Sequence, residues 1–174
     1  MGLFDFFKKQ NSKAPQPIAI AEELGIVYAP ASGTVEPMAA LPDPVFAGGA
    51  MGVALGVNPT EGVVYAPISG TVTVAMPHAI GITSPDLEIL IHVGVDTVEM
   101  NGDGFELQIE KNQQVSAGDV LLVFDREKVT AAGYPDTVMA IVTNTADIES
   151  TGGSVKAAAF ESVSAGEPFI RVTR

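Results

Sequence analysis

Two histidines, His78 and His92, are the residues of this chain best suited to nucleophilic chemistry, because the sequence contains no cysteine. A neutral imidazole is a good nucleophile near neutral pH, since its ordinary pKa is about 6.5. His92 lies in a run of residues that alternate strictly: one set is Ile89, Ile91, Val93 and Val95, and the other is Glu88, Leu90, His92, Gly94 and Asp96. This alternation predicts a strand whose β-branched face is turned to the core and whose other face carries His92.

The spacing of the two histidines predicts that they face one another. If Ser84-Pro85-Asp86 forms a three-residue hairpin loop, paired positions sum to 170 and His78 lies opposite His92 on the same face. A two-residue or four-residue loop would put them on opposite faces unless a bulge intervened. Two facing imidazoles suit a transient covalent adduct in which His92 attacks phosphorus and His78 holds a phosphoryl oxygen. Gly94 would leave room for the phosphoryl group and for a partner's backbone, while Asp96 would orient His92 or meet a basic partner.

A zinc-dependent hydrolase is the main alternative, because two histidines on one face can bind zinc. The third ligand would have to be a carboxylate such as Asp96, and the sequence contains no His-Glu-x-x-His motif. Zinc bound by His78 and His92 together with ligands from a partner is a further alternative. The transfer itself is expected to need no cofactor.

The composition predicts an all-β domain. The 174 residues are 47% hydrophobic and 17% charged, with 18 glycines and 12 prolines, which suits short strands joined by tight turns. The net charge of −12 argues against a nucleic-acid partner and favours basic ones. The sequence has no apolar run long enough to cross a bilayer and no signal peptide, so the protein is expected in the cytoplasm.

Two repeated motifs predict a sandwich or barrel-like fold built from two similar halves. Tyr28–Val35 recurs as Tyr65–Val72, and the turn Val115–Val120 is similar to Val163–Pro168. Short helical turns are predicted at Arg126–Ala132, capped by Asp125, and near Ala146–Ser150.

The chain is expected to divide into a tail, residues 1–17, and a domain, residues 18–174. Residues 2–9 place Leu3, Phe6 and Phe7 on one helical face, followed by two lysines. This pattern is open to two interpretations, which are a disordered start and a weak membrane anchor that would hold the protein peripherally at the inner face of the membrane.

Several ordered segments resemble the glucose-type EIIA component of the bacterial phosphoenolpyruvate-dependent sugar phosphotransferase system. The resemblance covers nearly the whole chain and is carried by Met1–Asp5, Pro42–Ala47, His78–Ile80, His92–Glu99 and Gly102–Phe105. It implies a compact antiparallel β-sandwich of the duplicated hybrid motif type, phosphorylation at His92 and a supporting role for His78. It also implies that the phosphoryl group is received from HPr and passed to a cysteine on the EIIB domain of a sugar permease.

The same resemblance implies a docking face around the histidines, apolar at its centre and acidic at its rim. Its members would be Asp43, Val45, Phe46, Leu90, Gly94 and Asp96. Some members of the family also bind transporters or kinases, so a purely regulatory binding module is another alternative. The chain departs from the family pattern at Met76, where a small hydroxyl residue is expected, and at Pro77, where a polar residue is expected.

Overall fold

The structure is a computed structural model that describes residues 14–174, and it consists mainly of short strands. The strands are β1 (Ile26–Tyr28), β2 (Gly33–Pro37), β3 (Val53–Pro59), β4 (Val63–Tyr65), β5 (Gly70–Met76), β6 (Ala79–Thr83), β7 (Glu88–Val93), β8 (Phe105–Leu107), β9 (Gln114–Val115), β10 (Val120–Phe124), β11 (Val138–Val142), β12 (Ser154–Ala157), β13 (Ser162–Val163) and β14 (Pro168–Thr173). The helices are α1 (Pro44–Ala47), α2 (Arg126–Ala131) and α3 (Thr145–Ser150), and 3₁₀ turns form at Met38–Ala40 and Thr97–Met100. The predicted tail contact through residues 2–9 lies outside the described residues.

The strands form one large sheet and two small ones, and all of the described pairings are antiparallel. The large sheet has the order β13-β2-β3-β11-β7-β6-β5-β9, and the small sheets are β1-β14-β12 and β4-β10-β8. Their inward side chains share one core, which includes Ile91 of the large sheet, Ile170 of β14 and Leu122 of β10. Burial of apolar surface between facing sheets is what stabilises such a sandwich. The predicted antiparallel β-sandwich is confirmed.

The two repeats are related by matching hydrogen bonds. The Tyr28 amide donates to the Pro67 carbonyl at 2.9 Å, and the Tyr65 amide donates to the Pro30 carbonyl at 2.8 Å. Ser32 and Ser69 also have equivalent roles. The Ser32 hydroxyl oxygen accepts from the Ala165 amide, and the Ser69 hydroxyl oxygen accepts from the Ala117 amide. Both amides belong to the second repeated motif. The duplicated motifs therefore pair with each other through equivalent hydrogen bonds.

Most predicted secondary structure is present with small changes at the ends. The Asp125 side chain accepts from the Lys128 amide at 3.1 Å and so caps α2, which ends at Ala131 before Gly133 at a φ of +91°. Helix α3 begins one residue earlier than predicted. Helix α1 and both 3₁₀ turns were not predicted, because each is a single turn without a readable periodicity.

The predicted register of the β6–β7 hairpin is wrong. Thr83 pairs with Glu88, so paired positions sum to 171 and the loop has four residues, Ser84 to Leu87. Leu87 leaves the strand because its amide and carbonyl both bond to Ser84 and close the loop. His92 consequently pairs with Ala79, and His78 lies just before β6.

Candidate functional site

His92 lies on the outward face of β7, as the alternation predicts. Ile89, Ile91 and Val93 are at most 2% exposed and belong to the core, whereas Leu90 and His92 lie on the other face and are half-buried. In the sheet, His92 pairs with Met139 of β11 on one side and with Ala79 of β6 on the other. Two flanking strands thus hold the His92 backbone rigidly.

The hydrogen bond of the His92 ring fixes its tautomer. Nδ1 lies 2.8 Å from the carbonyl oxygen of Gly94. A carbonyl oxygen can only accept a hydrogen bond, so Nδ1 carries the hydrogen. The lone pair is therefore on Nε2, and Nε2 is the nitrogen available for attack.

The turn at Gly94 places that carbonyl. Strand β7 ends at Val93, and Gly94 has a φ of +75°. A Cβ atom at Gly94 would collide with the Thr97 side chain and would lie 2.8 Å from the carbonyl oxygen of Pro135. The backbone can take this path because glycine tolerates positive φ and adds no side chain to the crowded space.

The strand alternation ends at this turn, so the faces that were predicted for the residues after Val93 are wrong. Asp96 has a φ of +58°, so the strand alternation does not extend to it. Val95 was predicted to point into the core with Val93, but it packs in the apolar cluster on the outer side of the sheet. The exposed Asp96 side chain still lies near enough to His92 to raise its pKa.

His78 reaches His92 from the turn between β5 and β6. Pro77 and His78 form this turn, and the His78 carbonyl accepts from the Val93 amide at 2.8 Å. The two ring centroids are 5.6 Å apart and the ring planes meet at 75°. The rings are close although the predicted register was wrong, because a turn residue does not have to follow the alternation of a strand.

An apolar cluster supports His92 from the side of α1. The ring centroid of Phe46 is 5.2 Å from that of His92, and Phe46 is only 5% exposed. Met139, Val95 and Leu41 are buried in the same cluster, against which Leu90 packs. Phe46 and Leu90 therefore form the wall of the site, whereas the neighbouring Val45 is 52% exposed.

Burial favours the neutral form of both imidazoles. It lowers the pKa of His92 below the ordinary 6.5 and outweighs the Gly94 hydrogen bond, which raises it. His78 lowers the pKa of His92 further, while Asp43 and Asp96 raise it. Burial likewise lowers the pKa of His78. A neutral Nε2 retains the lone pair that a nucleophile needs.

Asp43 has a structural role besides its charge. Its carboxylate accepts from the Val45 amide at 2.9 Å and caps the first turn of α1. This cap fixes the helix that carries Val45 and Phe46. Asp43 and Asp96 thus contribute negative charge near His92 from two different elements.

Sequence reasoning missed two buried polar residues beside the turn, Thr97 and Thr137. The Thr97 hydroxyl donates to the Val93 carbonyl at 2.5 Å and is buried. Thr137 is 3% exposed, and its carbonyl accepts from the Gly94 amide at 2.8 Å. Thr97 falls inside the run His92–Glu99, but nothing in the pattern indicates that its hydroxyl bonds to the turn. Thr137 is 45 positions from His92, so only the sheet pairing reveals it.

The described residues offer no obvious third ligand for a metal. Within residues 14–174, no three His, Asp or Glu side chains are grouped closely enough to hold a metal ion. In the same part of the chain, no helix is both long enough and apolar enough to cross a bilayer.

The fold and the site together define a class of protein, an antiparallel β-sandwich with two neighbouring imidazoles on the outside of its large sheet. Residues 25–148 match the family model described as phosphoenolpyruvate-dependent sugar phosphotransferase system, EIIA 1, and the chain belongs to this family. It is also similar to the solved structure of glucose permease IIA from Mycoplasma capricolum, with a TM-score of 0.75 and 28% identity. The match covers 88% of this chain and 98% of that one.

The predicted resemblance to the glucose-type EIIA component is confirmed. The protein is a phosphotransferase component with a phosphocarrier role in sugar phosphotransfer. Neither comparison supports the zinc-dependent hydrolase.

Proposed function

We propose that His92 is the residue that carries the phosphoryl group and that His78 stabilises it. The observation that carries this proposal is the hydrogen bond from His92 Nδ1 to the Gly94 carbonyl, because it leaves Nε2 as the free nucleophile beside the His78 ring. In the first step Nε2 attacks phosphorus of a phosphohistidine on HPr. A new P–N bond forms on His92 as the P–N bond to the donor breaks.

In the second step the group passes to a cysteine thiolate on the EIIB domain of a sugar permease. The P–N bond to His92 breaks while a P–S bond forms. His78 has a neutral ring that can donate one hydrogen bond to a phosphoryl oxygen, which orients the group without the charge of a cation. A transfer of this kind uses no metal ion. Zinc would be held by His78 and His92 only with further ligands from a partner.

The surface around the pair suits a protein partner. Val45, Met76 and Val98 are each at least 50% exposed, and they come from α1, the last residue of β5 and the 3₁₀ turn after His92. Apolar patches rimmed by charge mark protein-binding surfaces. Asp43, Val45, Phe46, Leu90, Gly94 and Asp96 are the proposed docking residues. Phe46 and Leu90 act there by shaping the wall, and HPr, EIIB and any regulated transporter or kinase would share this face.

The experiment is phosphorylation by phosphoenolpyruvate, Enzyme I and HPr, followed by intact mass. Wild type and His78→Gln are expected to gain one phosphoryl group that is lost in acid, whereas His92→Gln gains none. An adduct on His92→Gln would overturn the assignment of the nucleophile. No adduct on wild type would overturn the proposed function.

We also propose where in the cell the protein works. The protein would work in the cytoplasm, with residues 2–9 in weak contact with the inner face of the membrane, and the supporting observation is the pattern of phenylalanines followed by lysines. Sedimentation with anionic liposomes tests the contact. Removal of residues 1–17 should abolish co-sedimentation, and unchanged binding would contradict the contact.

A further inference from the structure

The turn that orients His92 is held by a segment outside the regular ladder. The last pair between β7 and β11 is Val93 with Val138. Beyond it, the Gly94 amide donates to the Thr137 carbonyl at 2.8 Å, and the Val95 amide donates to the Pro135 carbonyl at 3.2 Å. The Val95 amide belongs to the same peptide unit as the Gly94 carbonyl, and the Gly94 amide belongs to the unit before it. The position of the carbonyl that bonds to His92 therefore depends on where residues 135–137 lie.

A chain of side-chain hydrogen bonds fixes Thr137 to the neighbouring strands. Its hydroxyl donates to Oδ1 of Asn58 on β3 at 2.8 Å. The Asn58 amide nitrogen in turn donates to Oε2 of Glu36 on β2 at 2.7 Å. The Glu36 carboxylate only accepts, so the Asn58 amide cannot be reversed without placing its oxygen against another oxygen. The three side chains thus form one connected line across the outward face of the sheet.

A second anchor holds the same segment at its middle. The Asp136 carboxylate is 2.8 Å from Arg126 Nε, and another nitrogen of Arg126 donates to the Thr60 carbonyl at 3.0 Å. This anchor does not involve Thr137. Loss of the Thr137 hydroxyl bond should therefore leave the segment folded but less exactly placed.

We propose that Thr137 and Asn58, with Glu36 as the final acceptor, are positioning residues for phosphoryl transfer: they fix the Gly94 carbonyl and thereby hold His92 in the tautomer whose Nε2 is free. The proposal rests on the proposed function, since it takes His92 as the nucleophile. The three residues are assigned an effect on the backbone around Gly94 and no contact with the phosphoryl group itself. Their effect is transmitted through the Gly94 peptide, in the way that partners behind a ligating histidine set its tautomer.

The direct test is the ¹⁵N spectrum of the His92 ring in the unphosphorylated protein. Wild type should show one tautomer with hydrogen on Nδ1. Thr137→Val keeps the shape of the side chain but lacks the hydroxyl, and Asn58→Ala lacks both bonding atoms. Each is expected to show a mixture of tautomers and a rate of phosphorylation by HPr that is about tenfold lower. Thr137→Ser keeps the hydroxyl and should restore both values.

Thr145 provides the matched control at the other end of the same strand pair. It is 6% exposed, its hydroxyl donates to the Val142 carbonyl, and its oxygen accepts from the Val53 amide at 3.1 Å. Thr145→Val therefore removes a buried hydroxyl that also joins β11 to β3. Like Thr137→Val, it should lower the stability of the protein, but the His92 tautomer and the transfer rate should stay unchanged.

The proposal is overturned if Thr137→Val and Asn58→Ala keep one His92 tautomer and a rate within about twofold of wild type. If Thr137→Val fails to fold, the half-buried Glu36 supplies the decisive pair. Glu36→Leu removes the final acceptor and should mix the tautomers, whereas Glu36→Gln retains an acceptor and should not; equal spectra would refute the proposal. The tautomer is measured without HPr, so this result is separate from failure of the phosphocarrier assignment.

Discussion

At the residue scale, Gly94 combines two requirements that other residues meet poorly. It needs a φ of +75°, and it lies against the Pro135 carbonyl and the Thr97 side chain. Gly133 also has a positive φ, +91°, but an added Cβ there would meet nothing within 4 Å. The two glycines therefore separate the cost of the backbone conformation from the cost of a collision.

We expect Gly94→Ala to lower the free energy of unfolding by about 3 kcal/mol and Gly133→Ala by about 1 kcal/mol. The larger loss at Gly94 comes from the collision, which must displace the carbonyl that bonds to His92. Urea denaturation of the two variants measures both values. Equal losses would show that crowding at Gly94 has no cost beyond that of its φ.

The lowered pKa values of both histidines predict how stability depends on pH. Below the ordinary pKa of about 6.5, the unfolded chain binds protons more readily than the folded protein. The contribution of the two histidines to stability should therefore be constant above this pH and fall as the pH decreases from 6.5 through the lowered folded-state values. His92→Gln should fall less steeply in this window when urea denaturation is repeated between pH 5 and 7. Parallel curves would mean that burial does not hold His92 neutral.

At the scale of elements, the sequence predicts the strand of His92 better than the turn that brings His78 to it. Alternation over six residues determines which face of β7 is buried, because Ile89, Ile91 and Val93 must leave water together. The length of the β6–β7 loop depends on whether one residue, Leu87, pairs or bonds to Ser84. Both arrangements bury an apolar side chain, so composition cannot distinguish them. The shift by one position left the two rings near each other only because His78 is a turn residue.

The repeated motif makes a prediction about matched serines. The Ser32 hydroxyl accepts from the Ala165 amide at 2.8 Å, and the Ser69 hydroxyl accepts from the Ala117 amide at 2.9 Å. Replacement of either by alanine leaves a half-buried amide without its acceptor, which costs about 1–2 kcal/mol. Thermal unfolding of Ser32→Ala, Ser69→Ala and the double variant should give similar single losses. A loss confined to one variant would show that the two halves are not equivalent in energy.

At the scale of the whole molecule, the arrangement on the outer face of the large sheet was beyond sequence analysis. Strand order puts β2, β3, β11 and β7 side by side, although they are far apart along the chain. Glu36, Asn58 and Thr137 meet only because of this order. The periodicity of a strand indicates which of its side chains share a face, but it does not indicate which strands lie beside it. The two histidines could therefore be predicted as site residues, whereas Glu36, Asn58 and Thr137 could not. The β-sandwich fold as a whole was predicted from the family resemblance.

The net charge of −12 gives the last prediction, which concerns association with HPr. Negative groups near His92 should speed encounter with a basic partner, and salt should weaken this effect. Asp43→Asn with Asp96→Asn removes two charges beside His92 and keeps a side chain that can cap α1. Asp147→Asn with Glu149→Gln makes the same change of net charge on α3, which begins beside the opposite end of β7.

We expect the first double variant to associate with HPr about tenfold more slowly than wild type at low salt, and the second to be reduced much less. Stopped-flow association rates at several salt concentrations measure the difference, which should shrink as salt rises because nearby charges are screened. Loss of the two carboxylates lowers the pKa of His92 further, so the imidazole stays neutral and a slower reaction cannot be attributed to protonation. Equal effects of the two double variants would mean that only total charge matters and that the acidic rim around His92 does not steer the partner.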